Sequence, residues 1–295
     1  MATGDAFVTG GHGFAGRHLV ALLDEPAAPS RAELDLLDAE AVRRAVAEAA
    51  PARVFHLAGL ASVARSWEDP GAVLSDNLAM TVNLLEAVRR EAPEAAFVLA
   101  SSGEIYGPPE RLPVSEDEPL RPQNPYAVSK AACDLLAGQY ADAHGLRVLR
   151  MRAFNQAGPG QSDVFVVSTI ARQVAEAQAA GASEAVIRTG NPDSARDFTD
   201  VRDTVRAYVE GSGLPAGAYN VCRGESTSVR MLVELAGRVS GVEIRHEVDS
   251  ERVRAHDVPE VRGSAERLTS ASGWRPEIPL EQTVADAIAY WRARL

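Results

Sequence analysis

Apolar and polar positions divide the chain into two parts with different rhythms. In the first, short apolar runs alternate with longer stretches whose apolar residues recur at helical spacing. Residues 5–23, DAFVTGGHGFAGRHLVALL, read as a strand, a glycine turn and a helix. Residues 52–59 (ARVFHLAG), 95–103 (AAFVLASSG) and 146–154 (LRVLRMRAF) are short apolar runs, and each suits a strand buried on both faces of a parallel sheet. Between them the pattern predicts helices over 39–50, 77–91 and 125–143. Proline content makes PAAPS (26–30) and GPPERLP (107–113) predicted loops. Strands and helices in alternation predict a doubly wound parallel sheet.

The second part is less regular. Helices are predicted over 163–180, 199–210, 228–240 and 279–295, with short strands at 185–189, 217–222 and 243–249. GWRPEIPLEQTVADAIAYW closes the chain with a proline turn and an amphipathic helix. No internal repeat or low-complexity tract is present. The expected fold class is α/β: a Rossmann-like doubly wound parallel sheet with a smaller C-terminal substrate-binding lobe over the carboxyl ends of the strands, where such sheets bind ligands. The expected division places residues 1–155 and about 198–222 in the dinucleotide-binding unit. Residues from about 156 to 197 and 223–295 form the lobe.

Composition narrows the function. The chain has 295 residues, 46% apolar and 24% charged, which suits a soluble globular protein with ample core. The net charge is −11 and no basic run occurs, so no nucleic-acid partner is expected. No apolar run approaches the roughly 18 residues of a membrane span. The first strand starts close to Met1, so no presequence and a cytoplasmic location are expected. Cys133 and Cys222 lack metal or disulfide spacing and are expected to be buried. His12 and His56 have no companions that make a metal set and are expected in a turn or in packing.

VTGGHGFAGRHL places glycines at 10, 11, 13 and 16, which satisfies both G-x-x-G-x-x-G and G-x-G-x-x-G. Such a turn lets the backbone approach a pyrophosphate, whose charge then meets the N-terminus of the next helix. Gly10, Gly13, Phe14 and Gly16 are therefore candidate dinucleotide contacts. An acidic residue for the ribose 2′-hydroxyl is expected about 20 residues later. Only DEPAAPSRAELDLLD follows the helix, so the second strand is expected to be truncated or lost. Arg31 suits a 2′-phosphate, and equally a solvated loop. Asp35 and Leu36 are expected where the next strand ends, against the adenine. NADP(H) and NAD(H) both stay open.

The chain writes 29 of its 30 basic residues as arginine, and the exception is Lys130 in NPYAVSK. It follows Tyr126 by four residues, so both point from one helix face. An isolated phenol has a pKa of about 10 and needs a nearby positive charge to exchange protons near neutrality. A compact ammonium does this better than a wide guanidinium. The spacing therefore predicts that Lys130 lowers the Tyr126 pKa, and a drop of about three units corresponds to roughly 4 kcal/mol. Ser102, at the end of FVLASS, supplies a hydroxyl for the substrate oxygen that Tyr126 serves, or a turn cap.

Together, TGGHGFAG, HLAG, SSGEIYG, NPYAVSK and RDFTDVRD resemble the extended short-chain dehydrogenase/reductases, the NAD-dependent epimerase/dehydratase family that acts on nucleotide sugars. PVSEDEPLRPQNPYAVSK, FNQAGPGQS, ARDFTDVRDTVRAY, YNVCRGEST and SGWRPEIPLEQTV bring the chain nearest to the reductases of GDP-4-keto-6-deoxy-mannose. The resemblance runs in order over essentially the whole chain. It implies that Ser102, Tyr126 and Lys130 form a catalytic trio. It places Gly10, Gly13 and Gly16 on the pyrophosphate, Asp35 and Leu36 on the adenine, and Leu57, Ala58 and Gly59 beneath the cofactor. Asn155 and Arg196 would meet the substrate's phosphates. Arg254 and Asp257 would clamp the nucleotide ribose, with Ala255 where the family usually has proline. Glu104 stands where the related 4,6-dehydratases carry the acid or base that removes water, and reductases carry it as well. Gly103 stands where serine or aspartate is usual. The implied activity is hydride transfer from NAD(P)H to C4 of a 4-keto-6-deoxy nucleotide sugar. A 4-epimerase, a 4,6-dehydratase and an inactive dinucleotide-sensing regulator are the alternatives. A homodimer through helices 77–91 and 125–143 is also implied.

Overall fold

The computed structural model describes residues 5–252 and 258–295, so Arg254 and Asp257 lie outside the described residues. β1 (Ala6–Thr9), the glycine turn and α1 (Phe14–Leu22) open the chain as the pattern predicts. Then come α2 (Ala39–Ala49), β2 (Arg53–His56), α3 (Val63–Glu68), α4 (Pro70–Glu91) and β3 (Ala96–Ser102). They are followed by α5 (Pro125–His144), β4 (Val148–Ala153), β5 (Asn155–Ala157), α6 (Val166–Ala179), β6 (Glu184–Thr189) and β7 (Ala195–Asp200). The rest comprises α7 (Val201–Gly211), β8 (Gly217–Val221), β9 (Ser226–Ser228), α8 (Val229–Ser240), β10 (Glu243–Val248), β11 (Glu260–Val261), α9 (Glu266–Ser272) and α10 (Leu280–Arg292).

β1, β2, β3, β4 and β8 lie side by side in that order, all parallel. Alternate residues feed opposite faces, which is why the strands read as unbroken apolar runs. Ala6, Val8, Phe55, Val98 and Met151 pack on one face with Leu19 of α1 and Val205 and Tyr208 of α7. Phe7, Val54, Phe97, Leu99 and Val148 pack on the other with α2, α4 and α5 through Val42, Leu84 and Ala137. Two smaller sheets, β6 with β10 and β11–β7–β5 with β9 beside β7, accompany a third core in which Ile187, Val174, Leu232 and Val284 meet. Leu268 and Trp274, late in the chain, join the core beneath the main sheet instead.

The second strand is reduced to one bridge between Phe7 and Ala27. Pro26 and Pro29 flank that residue and remove amide donors from the ladder. The strand expected to end at Asp35 and Leu36 does not form. The chain makes turns there, with Leu36 buried and Asp35 exposed and accepting from the Leu37 amide at 3.0 Å.

Candidate active site

NPYAVSK starts α5 by two local devices. Asn124 is the N-cap, its side chain accepting from the Ala127 amide at 2.8 Å, and Pro125 occupies the first turn. Tyr126 is thereby fixed at the helix mouth, with Lys130 one turn later on the same face. Ser102 ends β3, where its Oγ accepts from the Glu104 amide at 3.2 Å and lies near the Tyr126 phenol. The turn-cap reading of this serine is what the structure shows. Glu104 accepts from Asn124 Nδ2 at 3.3 Å. A Cβ at Gly103 would lie 3.0 Å from the Phe154 ring, which explains glycine at this position.

The electrostatics differ from expectation. The Tyr126 pKa is raised to about 12, chiefly because burial disfavours the phenolate, and the Glu104 and Cys133 charges add to this against the Ser102 bond. Lys130 does not lower it. The amine donates to the carbonyl of Ala100 on β3, and its own pKa is lowered by burial.

At the opposite end of the site, Gly10 has φ +75°, and a Cβ there would lie 2.6 Å from the Ala58 amide nitrogen. A Cβ at Gly16 would lie 2.0 Å from the Gly10 carbonyl oxygen. These glycines bring the turn against Leu57 and Ala58, just past the end of β2. The clear α1 N-terminus fits a pyrophosphate. Phe14 is the first residue of α1 and packs partly on the core. Gly59 follows Ala58, and a Cβ there would lie 3.2 Å from Asn77 Oδ1. An open cavity of about 450 Å³ beside the turn is lined by Gly11, His12, Arg17, Val20 and Ala28. Arg31 is exposed nearby in sequence. His56 is buried, bonded to Thr9 at 2.7 Å and Thr81 at 3.1 Å, and burial lowers its pKa to about 3. It is packing, as expected.

Asn155 opens β5, half-buried, and pairs in register with Phe198 of β7. Arg196, on the same β7, donates to the carbonyls of Ala195 and Val258, both at 2.8 Å. Beside it, buried Asp197 accepts from the amides of Arg223 at 2.8 Å, Gly224 at 2.9 Å and Gly263 at 3.2 Å. Burial pushes its carboxyl up to about 6. Sequence reasoning missed Asp197, and also Asn77, which accepts from the Leu60 amide at 2.8 Å and donates to Ser129 at 2.9 Å. An asparagine among apolar positions of α4 was the available signal for Asn77.

Residues 25–287 match the family model of GDP-mannose 4,6 dehydratase. The chain belongs to the GDP-mannose 4,6 dehydratase family. It is 37% identical to a GDP-6-deoxy-D-mannose reductase of Pseudomonas aeruginosa over 98% of this chain and 97% of that one. It is similar to the structure of RMD from Pseudomonas aeruginosa complexed with NADPH, with a TM-score of 0.89 and 37% identity over 99% of this chain and 100% of that one. A UDP-glucose 4-epimerase of Thermus thermophilus, in complex with NAD, gives 0.82 and 30% over 98% of this chain and 99% of that one. As a member of the GDP-mannose 4,6 dehydratase family, the chain shares its fold with reductases and epimerases alike.

Proposed function

We propose that this protein is an NADPH-dependent reductase of a 4-keto-6-deoxy nucleotide sugar of the GDP-4-keto-6-deoxy-mannose type. The observation that carries the reading is the geometry at the mouth of α5, where Asn124 and Pro125 fix Tyr126 near Ser102 at the end of β3 and Lys130 follows one turn later. Ketone reduction begins with a proton donor in place, whereas a 4-epimerase or 4,6-dehydratase cycle begins by taking a proton from a C4 hydroxyl. The reductase relative, matched over nearly its full length, supports the same choice.

When bound, NADPH would supply a hydride to C4 of the sugar. Tyr126 gives its proton to the oxygen that gains the electron pair, Ser102 steadies that oxygen, and Lys130 orients the cofactor ribose. Gly10, Gly13, Phe14 and Gly16 hold the pyrophosphate, Leu57, Ala58 and Gly59 underlie the cofactor, and Asp35 and Leu36 face the adenine. Asn155 and Arg196 meet the substrate's phosphates, Arg254 and Asp257 clamp the nucleotide ribose, and Glu104 assists as an acid–base group. In this reading the dinucleotide-binding unit is 1–155 with about 198–222, and the remainder is the sugar-nucleotide lobe. Purified protein given NADPH and the GDP keto sugar should consume the cofactor and form a GDP-6-deoxyhexose. No consumption of NADPH or NADH would overturn the reading, and stoichiometric NAD released on denaturation would point to an epimerase.

Two more outcomes follow at the ends of the substrates. Arg196→Met is expected to raise KM for the keto sugar about tenfold or more, with kcat little changed, because a charge-assisted phosphate contact is worth about 1.5–3 kcal/mol. An unchanged KM would remove Arg196 from the phosphate site. PAAPSR offers no carboxylate for a ribose 2′-hydroxyl, and Arg31 is exposed at its end. NADPH should therefore be preferred over NADH, and Arg31→Ala should raise KM for NADPH about tenfold while sparing NADH. Equal loss with both cofactors would contradict that placement.

No described helix is long and apolar enough to cross a membrane. A cytoplasmic homodimer is part of the same reading. Leu78 of α4 and Val128 and Leu135 of α5 are exposed on helices that pack together, and a second copy would cover them. Sedimentation velocity returning only the 31.4 kDa monomer would contradict the dimer.

A further inference from the structure

Asp134 lies one turn beyond Lys130 on α5 and is fully buried. Its Oδ2 accepts from Ser101 Oγ at 2.7 Å and Arg152 Nε at 3.0 Å. Its Oδ1 accepts from Arg152 at 2.8 Å and from Arg150 at 3.3 Å. Successive turns of α5 thus hold the last three residues of β3: Tyr126 on Ser102, Lys130 on the Ala100 carbonyl, and Asp134 on Ser101. We propose that Asp134 is a positioning residue, whose carboxylate fastens the α5 face to the end of β3 and stands one helical turn from the half-buried Lys130 amine as its counter-charge. What that ammonium does in turnover rests on the reductase reading; its charge state does not.

The groups around the amine are few. Tyr126, Cys133 and Asp134 come from α5, His56 from β2 and the Ala100 carbonyl from β3, while Arg150 and Arg152 approach the carboxylate from β4. Burial drives the Lys130 pKa down, and Cys133 and Asp134 oppose it. Burial pushes the Cys133 thiol up, so it is uncharged near neutrality, as are His56 and Tyr126. Asp134 is therefore the anion on which the ammonium depends. Without its charge, the amine would lose the carboxylate one turn away and hold its proton less tightly.

Lys130 is the chain's only lysine, so protein labelled with ε-¹³C lysine has one lysine resonance, whose shift follows that amine through its titration. Asp134→Asn is expected to move the midpoint about one pH unit lower. It should also lower kcat about 10–100-fold, with KM nearly unchanged, as expected for a small displacement of reacting groups. Arg152→Gln removes the guanidinium paired with that carboxylate, leaving more of its negative charge for the amine, and should move the midpoint higher. Equal midpoints in the wild type and Asp134→Asn overturn the proposal. Should that variant not fold, a midpoint in Arg152→Gln that stays or falls overturns it equally. Shifts as expected in a protein that reduces no keto sugar uphold the role of Asp134 and overturn the reductase reading instead.

Discussion

Replacing Tyr126 with phenylalanine is expected to lower kcat/KM for keto-sugar reduction about a thousandfold, the range of a lost general acid. The ring keeps its volume, and the groups that start α5 are untouched. Asn124 caps the helix through the Ala127 amide, and Ser129 donates to the Tyr126 backbone carbonyl, not its hydroxyl. The variant should therefore fold and bind reduced cofactor as the wild type does. Only the proton donor is lost. Because the phenol pKa lies at about 12, the donor stays loaded through the ordinary assay range, and the wild-type reductive rate should show no limb from Tyr126 there. Steady-state kinetics with the GDP keto sugar, beside a thermal-shift titration with NADPH, separates chemistry from binding. Turnover at the wild-type rate would exclude Tyr126 as the acid.

Lys130→Met is expected to cost about a hundredfold or more in kcat/KM, through loss of ribose orientation, and Lys130→Arg should not restore it. The amine sits in a narrow place, donating to the Ala100 carbonyl beside Cys133 and buried His56. A guanidinium spreads its donors over a planar fork and needs more acceptors than this site offers. Methionine matches the apolar stem, so the fold should persist. Kinetics of both variants and their NADPH midpoints by thermal shift test the idea. An arginine variant with full activity would show that any cation suffices, and the lone lysine would then have no chemical reason.

Much of this architecture can be read from apolar runs. β1, β2, β3 and β4 lie where those runs lie because these parallel strands are buried on both faces and carry few polar exceptions. α5 is legible for a second reason: its cap, proline and apolar spacing agree. β7 is different. Its ARDFTD has no apolar run, and its polar residues are buried because other segments satisfy them, as the three amides on Asp197 do. Such partners are distant in sequence. The same holds for the phenol. The four-residue spacing correctly placed Lys130 on the face of Tyr126, but spacing carries no information on how deeply the ring is buried or that the amine turns toward Ala100. Burial therefore reversed the expected direction of the Tyr126 pKa. The truncated second strand was legible from its prolines, whereas the turns at Asp35 and Leu36 were not, since alternating polar and apolar residues fit either conformation.

The most direct measurement is isotope transfer. NADPH carrying deuterium at the transferable position of its nicotinamide ring is incubated with the protein and the GDP keto sugar, and the product is analysed by mass and NMR. A GDP-6-deoxyhexose with deuterium at C4, formed by the wild type and not by Tyr126→Phe, is the predicted result. A product without deuterium at C4, or label retained on the cofactor while the sugar is unchanged, would contradict the account.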